Sequence, residues 1–363
     1  MKVNNIYIEI NTECNLRCKH CYNQSGAKSE KMDIKDFINI VEFFLRDKDT
    51  KLNLAIAGGE PLVHPQINHY LSYLNKLRRN QVDILIVTNG LLAKDILTPY
   101  LLQENPFSVQ FSLDGASEET NKFIRGPGHF EKVVSYMQFL SQQGYRRGKS
   151  RMTINRYNLV DIEPFFELCL KYNIIPSYSF SVRSGRADTN WNDLKVDYAD
   201  RSKAIELISR LYKVNYERLK CIDKAFDVKW MIIKPATHCP LVGQNTVMNP
   251  IIKVNGDVQP CHCLYDDSYS IGNLFLSNPE NVFSSNNEQF DAVKHILEKR
   301  TIYLKEKTCS NCVINDICSG GCPGRAFDEY GDILQIDPDC TLRIRGYVKN
   351  NLKYFLQENV HEQ

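Results

Sequence analysis

Thirteen cysteines, unevenly placed, constrain this chain more than any other feature. Three lie at Cys14, Cys18 and Cys21, eight fall between positions 239 and 340, and only Cys169 and Cys221 stand elsewhere. A disulfide framework is one reading. An odd count in 363 residues without an export signal instead indicates a reducing compartment, where clustered cysteines hold metal or catalyse. The N-terminus, MKVNNIYIEI, alternates apolar and polar residues where a signal peptide would carry an unbroken apolar run. No stretch reaches the ~18 apolar residues of a bilayer crossing. The chain therefore reads as cytoplasmic, with no membrane partner. Lys+Arg at 45 against Asp+Glu at 43 leaves a formal charge of +2, too little to hold a polyanion, so no nucleic acid is expected either.

At ~150 residues per domain the length suggests two or three domains. Between residues 3 and 187, six short apolar runs read as strands: Ile6 to Ile10, Leu52 to Ala57, Ile84 to Thr88, Val109 to Leu113, Met152 to Ile154 and Tyr178 to Val182. Stripes of helical period intervene, such as Ile34, Phe37, Ile38, Val41 and Phe44, or Val133, Val134, Met137 and Leu140; these read as core. Strand and helix alternating at ~30-residue spacing imply a parallel sheet, hence an α/β fold that is either a six-unit barrel or an open doubly wound sheet. Either form places chemistry at the strand C-termini. From about Asn190 to Phe226 the chain is polar and helical, a bridge. Beyond it, Asn255-Gly256 between alternating β-formers predicts a two-residue type I′ hairpin that delivers Cys261. Turns and cysteines then dominate to residue 340, as where metal replaces part of a core. A last amphipathic helix is expected over 342–356.

Two further features read as structural. Arg146, Arg147, Lys149 and Arg151 precede the fifth strand and read as a solvated loop away from the chemistry. Cys169, beside Phe165, Phe166 and Leu168, reads as a small apolar side chain, and Cys221 is also expected to bind nothing.

Cys14-x3-Cys18-x2-Cys21 directly follows the first strand. Closed zinc sites and ordinary iron-sulfur cubes take four protein ligands, and this loop supplies three thiolates. Zinc with His20 as fourth ligand is the competing reading, but His20 sits within a CKHC run too tight to close the shell comfortably. Three thiolates on a four-iron cube leave one iron open. CNLRCKHCY resembles the CxxxCxxC-aromatic loop of the radical S-adenosylmethionine (SAM) superfamily, in which a [4Fe-4S] cluster binds SAM at the open iron and yields a 5′-deoxyadenosyl radical. The resemblance implies a partial (β/α)6 TIM-like barrel. It extends to Gly58-Gly59-Glu60-Pro61, similar to a motif that binds the SAM amino group, and to Ser112-Leu113-Asp114-Gly115, where Ser112 and Asp114 would meet SAM carboxylate and ribose. It also implies Asn155 at ribose or adenine, Arg186 at a carboxylate, and Tyr22 of the cysteine loop beside the cofactor.

Cys309-x2-Cys312-x5-Cys318-x3-Cys322, then Cys340, preceded by Cys239 and Gly256-x4-Cys261, could alone be zinc knuckles. Beside the SAM loop it resembles the SPASM extension, a small cysteine-rich α+β domain holding two auxiliary [4Fe-4S] clusters. That resemblance implies Cys309, Cys312, Cys318 and Cys340 around one cluster, and Cys239, Cys261 and Cys322 around another nearer the barrel. Either Cys263 completes the second set or one iron stays open; Cys263 is favoured over His238 and His262. The implied organisation is a barrel over 1–188, a helical bridge over 189–230, the SPASM domain over 231–345 and a C-terminal helix over 346–363.

The resemblance implies an oxidoreductase that modifies a peptide or protein by cross-link or thioether formation, with no catalytic acid or base identified. Its partners would be the peptide substrate and an external one-electron donor of flavodoxin or ferredoxin type. The first strand begins by residue 6, so a separate leader-peptide-binding protein or a leaderless substrate is expected. Formylglycine formation is a second possibility, but His262 stands where those relatives carry a catalytic Asp. A small-molecule dehydrogenase or epimerase is a third. A plain electron carrier would leave the Gly58-to-Pro61 and Ser112-to-Gly115 motifs unexplained.

Overall fold

The computed structural model describes residues 2–47, 51–77, 81–224, 226, 239–242, 246–341 and 344. Among the described residues ten strands form: β1 Lys2–Val3, β2 Asn5–Glu9, β3 Leu52–Ala57, β4 Val82–Thr88, β5 Ser108–Ser112, β6 Gly148–Ile154, β7 Ile175–Phe180, β8 Val247–Met248, β9 Ile251–Ile252 and β10 Val258–Gln259. Each of the six barrel strands overlaps one of the six apolar runs, the fifth beginning four residues earlier and the sixth three residues earlier than expected. They lie in the order β2-β3-β4-β5-β6-β7, all parallel, and β7 does not pair with β2 among the described residues. Strictly sequential order never reverses, so right-handed crossovers put every helix on one face, and the sheet curls around its other face as a partial TIM-like barrel. The doubly wound alternative, which needs a reversal of strand order, is excluded.

Side-chain alternation follows from that curl. Ile6, Ile8, Leu54, Ile84, Phe111 and Met152 are buried on the outer face beneath the helices. The helix Ile34–Phe44 begins at Asp33, whose carboxylate accepts from Lys35 N at 2.8 Å, and buries Phe37, Ile40 and Val41. The helix His129–Gln142 buries Val133, Met137 and Leu140, the stripe expected from period. On the inner face the same strands carry polar residues: Asn5, Tyr7 and Glu9 on β2, and Lys149, Arg151 and Thr153 on β6. That corrects the reading of the basic run. Arg146 and Arg147 are exposed before β6, whereas Lys149 and Arg151 lie on β6 and face the barrel interior. Alternation within a strand, invisible while the run is treated as a loop, separates the two pairs.

The cysteine-rich part joins the same sheet. β9 pairs parallel with β2, and β10 pairs antiparallel with β9, so two late strands extend the barrel wall beside its first strand. The connection differs from the expected two-residue turn. Lys253 N donates to Asp257 O at 2.8 Å, leaving the three-residue loop Val254, Asn255 and Gly256. Only Gly256, at φ +87°, is left-handed; a type I′ turn needs both central residues there. A second parallel pair, β1 with β8, links the N-terminus to residues 247–248.

The bridge is helical at Trp191–Leu194, Tyr198–Val214 and Tyr216–Ile222, and Tyr212 Oη donates to Pro176 O on β7 at 2.7 Å. Cys169 is fully buried in the helix Ile162–Lys171, and Cys221 is exposed. Apart from residue 344, the expected helix over 342–356 lies outside the described residues, as does the whole 346–363 segment. So does His238.

In the cysteine-rich part, helix Glu288–Glu306 buries Arg300 to 2% exposure. Its guanidinium donates to the carbonyls of Ile333, Ser319, Gly320, Gly321 and Gln335 at 2.6–3.3 Å. Ser319, Gly320 and Gly321 all have positive φ, so Arg300 holds a left-handed stretch that links Cys318 to Cys322. Arg300→Met keeps length but strands those carbonyls; it should cost ~3 kcal/mol or more in urea denaturation. A loss below about 0.5 kcal/mol would show that water satisfies the loop equally well.

Candidate functional site

The loop from Ile10 to Asp33 carries Cys14, Cys18 and Cys21 over the C-terminal end of the barrel, and its own backbone folds it. Thr12 N donates to Glu30 O at 3.0 Å, Gly26 N to Thr12 O at 2.7 Å and Met32 N to Ile10 O at 2.9 Å. Arg17 adds side-chain bonds to Cys14 O at 2.6 Å and Gly26 O at 2.9 Å. Each thiol meets an N–H donor. Leu16 N lies 3.4 Å from Cys14 Sγ, Ser25 N 3.3 Å from Cys21 Sγ, and Arg125 Nη1 3.6 Å from Cys18 Sγ. Burial pushes the Cys18 thiol up to about 11 and raises Cys14 as well, opposed at Cys18 by the Arg125 charge.

Beneath the loop, Asp114 is fully buried. Its Oδ2 lies 2.5 Å from His20 Nε2 and 2.6 Å from Arg125 Nε, while Oδ1 accepts from Thr153 N at 2.8 Å. Burial alone would raise this carboxyl, but Arg125 and His20 hold it well below the usual carboxylate range. Three segments meet here: the cysteine loop through His20, the helix Glu118–Arg125, and the end of β6. His20 Nε2 is thereby turned to Asp114.

The residues expected at the cofactor also have partners within the chain. Gly58 and Gly59 admit the cysteine loop: a Cβ on Gly58 (φ +142°) would meet Asn11 O at 2.3 Å, and one on Gly59 would meet Glu13 O at 2.0 Å. Their missing side chains make room for protein backbone. Glu60 is buried and accepts from Leu62 N, Thr88 Oγ1 and Asn89 N at 2.6–3.1 Å. Burial raises its carboxyl from 4.5 to about 7, against those donors. Asn155 is also fully buried; its Oδ1 accepts from Tyr157 N at 3.0 Å and its Nδ2 donates to Thr153 O at 3.1 Å, closing a turn. Arg186 donates to Cys18 O at 3.0 Å and Ser25 O at 2.9 Å, tying the loop to the end of β7. Asp114, Glu60, Asn155 and Arg186, read as ligand contacts, thus brace the loop and strand ends. Buried polar groups need internal partners, and here the protein supplies them. Ser112 faces the barrel opposite Arg151. Tyr22 Oη donates to Glu9 Oε1 at 3.5 Å, and its ring meets Tyr265 edge-on at 5.2 Å.

Sequence reasoning missed Arg125, Asn89 and Glu9. Arg125 lies eleven residues beyond Asp114, and no local motif marks it. Asn89 Nδ2 donates to Asn15 at 2.7 Å and lies 4.0 Å from Cys14 Sγ; it directly follows β4, so the strand-end rule would have found it. Glu9 closes β2 with 3% exposure, and Tyr265 Oη donates to its two oxygens at 3.0 and 2.9 Å.

The other eight cysteines separate into two groups of four by their mutual electrostatic influence. Cys239, Cys261, Cys263 and Cys322 affect one another, with Cys263 hydrogen-bonded to Cys322; Cys309, Cys312, Cys318 and Cys340 form the other group. Gly324 allows the first group, since a Cβ there would meet Cys263 O at 1.6 Å. The Cys263 bond and the Arg325 charge, against burial, hold the Cys322 thiol below its ordinary value.

Among the described residues no three His, Cys, Asp or Glu side chains come together to hold a single metal ion. Tetrahedral zinc with bonds of ~2.3 Å needs sulfurs about 3.8 Å apart. The three loop thiols are close enough to influence one another electrostatically.

Residues 8–169 match the Radical SAM superfamily. Those residues form a radical SAM domain. The chain is 26% identical over 335 residues to the mycofactocin maturase MftC of Mycobacterium tuberculosis, covering 92% of this chain and 81% of that one. It is 27% identical over 286 residues to the antilisterial bacteriocin subtilosin biosynthesis protein AlbA of Bacillus subtilis, covering 76% and 58%. The fold superposes on anSMEcpe, solved with AdoMet and the Kp18Cys peptide, at a TM-score of 0.73 and 16% identity over 98% of this chain and 100% of that one. Among the described residues no helix is long and apolar enough to cross a membrane.

Arg125→Met leaves Asp114 buried without its ion pair and should lower stability by about 3–5 kcal/mol in denaturant titration. Glu60 gives a pH signature. Because its folded pKa is raised, its stabilising contribution is complete below about 4.5 and is lost as pH rises through about 7, a change of roughly 3 kcal/mol. Glu60→Gln should flatten stability across that window in the metal-free protein; an unchanged slope would assign it to another group.

Proposed function

We propose that this radical SAM enzyme oxidatively modifies a peptide or protein substrate, forming a cross-link or a thioether. The observation that carries the reading is the three-thiol loop at the barrel mouth, each thiol with an N–H donor and a fixed cation beside Cys18. Hydrogen bonds and local charge of this kind tune iron-sulfur clusters. Cys14, Cys18 and Cys21 would hold the SAM-binding [4Fe-4S] cluster, which when bound to SAM supplies a 5′-deoxyadenosyl radical that takes a hydrogen atom from substrate.

The chain's own residues then have defined tasks. Arg125 offsets thiolate charge, and Asp114 keeps Arg125 and His20 in place. Arg186, Gly58 and Gly59 hold the loop against the strand ends. Ser112 and Tyr22 face the barrel interior, where SAM and substrate would meet. The four-thiol groups around Cys263 and around Cys312 would hold two auxiliary clusters, an electron outlet that suits a net oxidation. A peptide substrate is supported by the maturase and bacteriocin-biosynthesis relatives. An external one-electron donor of flavodoxin or ferredoxin type completes the scheme, and a separate leader-peptide-binding protein is a further candidate partner.

Anaerobic reconstitution tests this directly. The protein should form 5′-deoxyadenosine from SAM under strong reductant. Replacing Cys14, Cys18 and Cys21 together by Ala should abolish that product yet leave roughly eight irons per chain, about four per remaining cluster. Complete iron loss in the triple variant would contradict separate clusters.

A further inference from the structure

A cavity of about 360 Å³ opens inside the barrel, lined in part by Tyr7, Asn53, Asp83, Lys149 and His262. Lys149 and Arg151 are two residues apart on β6, so both project to this side of the sheet. Arg151 does not itself line the cavity; it stands at the next position of β6 on the same face, nearer the mouth, and Tyr7, Tyr22 and His262 feel its charge. Neither cation has a hydrogen bond or ion pair among the described residues, although the surrounding walls desolvate Arg151 enough to lower its pKa.

The interior carboxylates do not compensate them. Asp83 is ion-paired with Arg147, outside β6. Glu9 is taken by the Tyr265 hydroxyl, and the cation that acts on it is Lys253. Asp114 is enclosed by Arg125 and His20. An accessible guanidinium without an anion is open to a ligand, and its planar fork favours a carboxylate that it can meet bidentately. The volume falls within the ordinary range for small-molecule sites and admits one or two residues of a peptide.

We propose that Arg151, assisted by Lys149, binds a carboxylate of the substrate inside the barrel and so selects a peptide that presents either a free C-terminus or an Asp or Glu side chain there. This rests on the peptide reading above, and it places the recognised group below the cysteine loop, with Tyr7 and His262 stacked edge-on at 4.6 Å on the cavity wall.

The test labels the reconstituted holoprotein with phenylglyoxal, which reacts with accessible guanidinium groups, and maps the sites by mass spectrometry. Arg151, exposed and unpaired, should label faster than Arg125 or Arg300. Acetyl-glycyl-glycine, with a terminal carboxylate, and acetyl-glutamic acid amide, with a side-chain one, are the probes; acetyl-glutamine amide is the neutral control. At least one acid should slow Arg151 labelling by about threefold or more where the control does not, and the acid that protects identifies the source of the carboxylate. In titrations followed by NMR, Arg151→Met should weaken the protecting acid about tenfold, with Arg151→Lys between. Equal protection by the neutral amide, protection by neither acid, or full protection by SAM alone would overturn the assignment. Failure to form 5′-deoxyadenosine would instead overturn the enzyme reading while leaving the labelling pattern intact, so the two fail separately.

Discussion

The buried Asp114 carboxylate is the contact on which the mouth of the barrel depends. One oxygen meets both His20 and Arg125, and the other takes a backbone N–H from Thr153. A carboxylate with no exposed surface survives as an anion only because a guanidinium, an imidazole and an amide surround it. Through it the cysteine loop, a short helix and the end of β6 are set relative to one another. The positive charge beside Cys18 is a by-product of the same arrangement. Electrostatics at the three thiols and mechanical support of the loop are therefore one system.

The fold was legible because its signals are local. Six strands and their helices follow from apolar period, and the sequential strand order follows from short right-handed connections. The curl of the sheet cannot be read that way, since Lys149 and Arg151 look like surface charge until the strand that carries them is known. The hairpin shows a related limit. Asn255-Gly256 marks a turn correctly, but loop length depends on cross-strand register with β9, which the dipeptide does not encode.

At the site, spacing revealed the residues that carry sulfur, and resemblance extended them to the glycine and acidic motifs. Their geometry adds a bracing role within the chain. Glu60, Asn155 and Arg186 sit where strand-end logic puts them, yet their polar atoms meet backbone groups of this chain. A motif records which residue types recur near a ligand, and it does not separate those that touch the ligand from those that hold others in place. Arg125 illustrates the converse, because it reaches Cys18 from a helix more than a hundred positions away in sequence.

The left-handed stretch Ser319-Gly320-Gly321 carries a further implication. It joins Cys318 of one thiol group to Cys322 of the other, and Arg300 grips its carbonyls from behind. With so short and stiff a tether, neither pocket can expand or rotate without dragging its neighbour. The two should mature together as one assembly unit, each serving as a jig for the other.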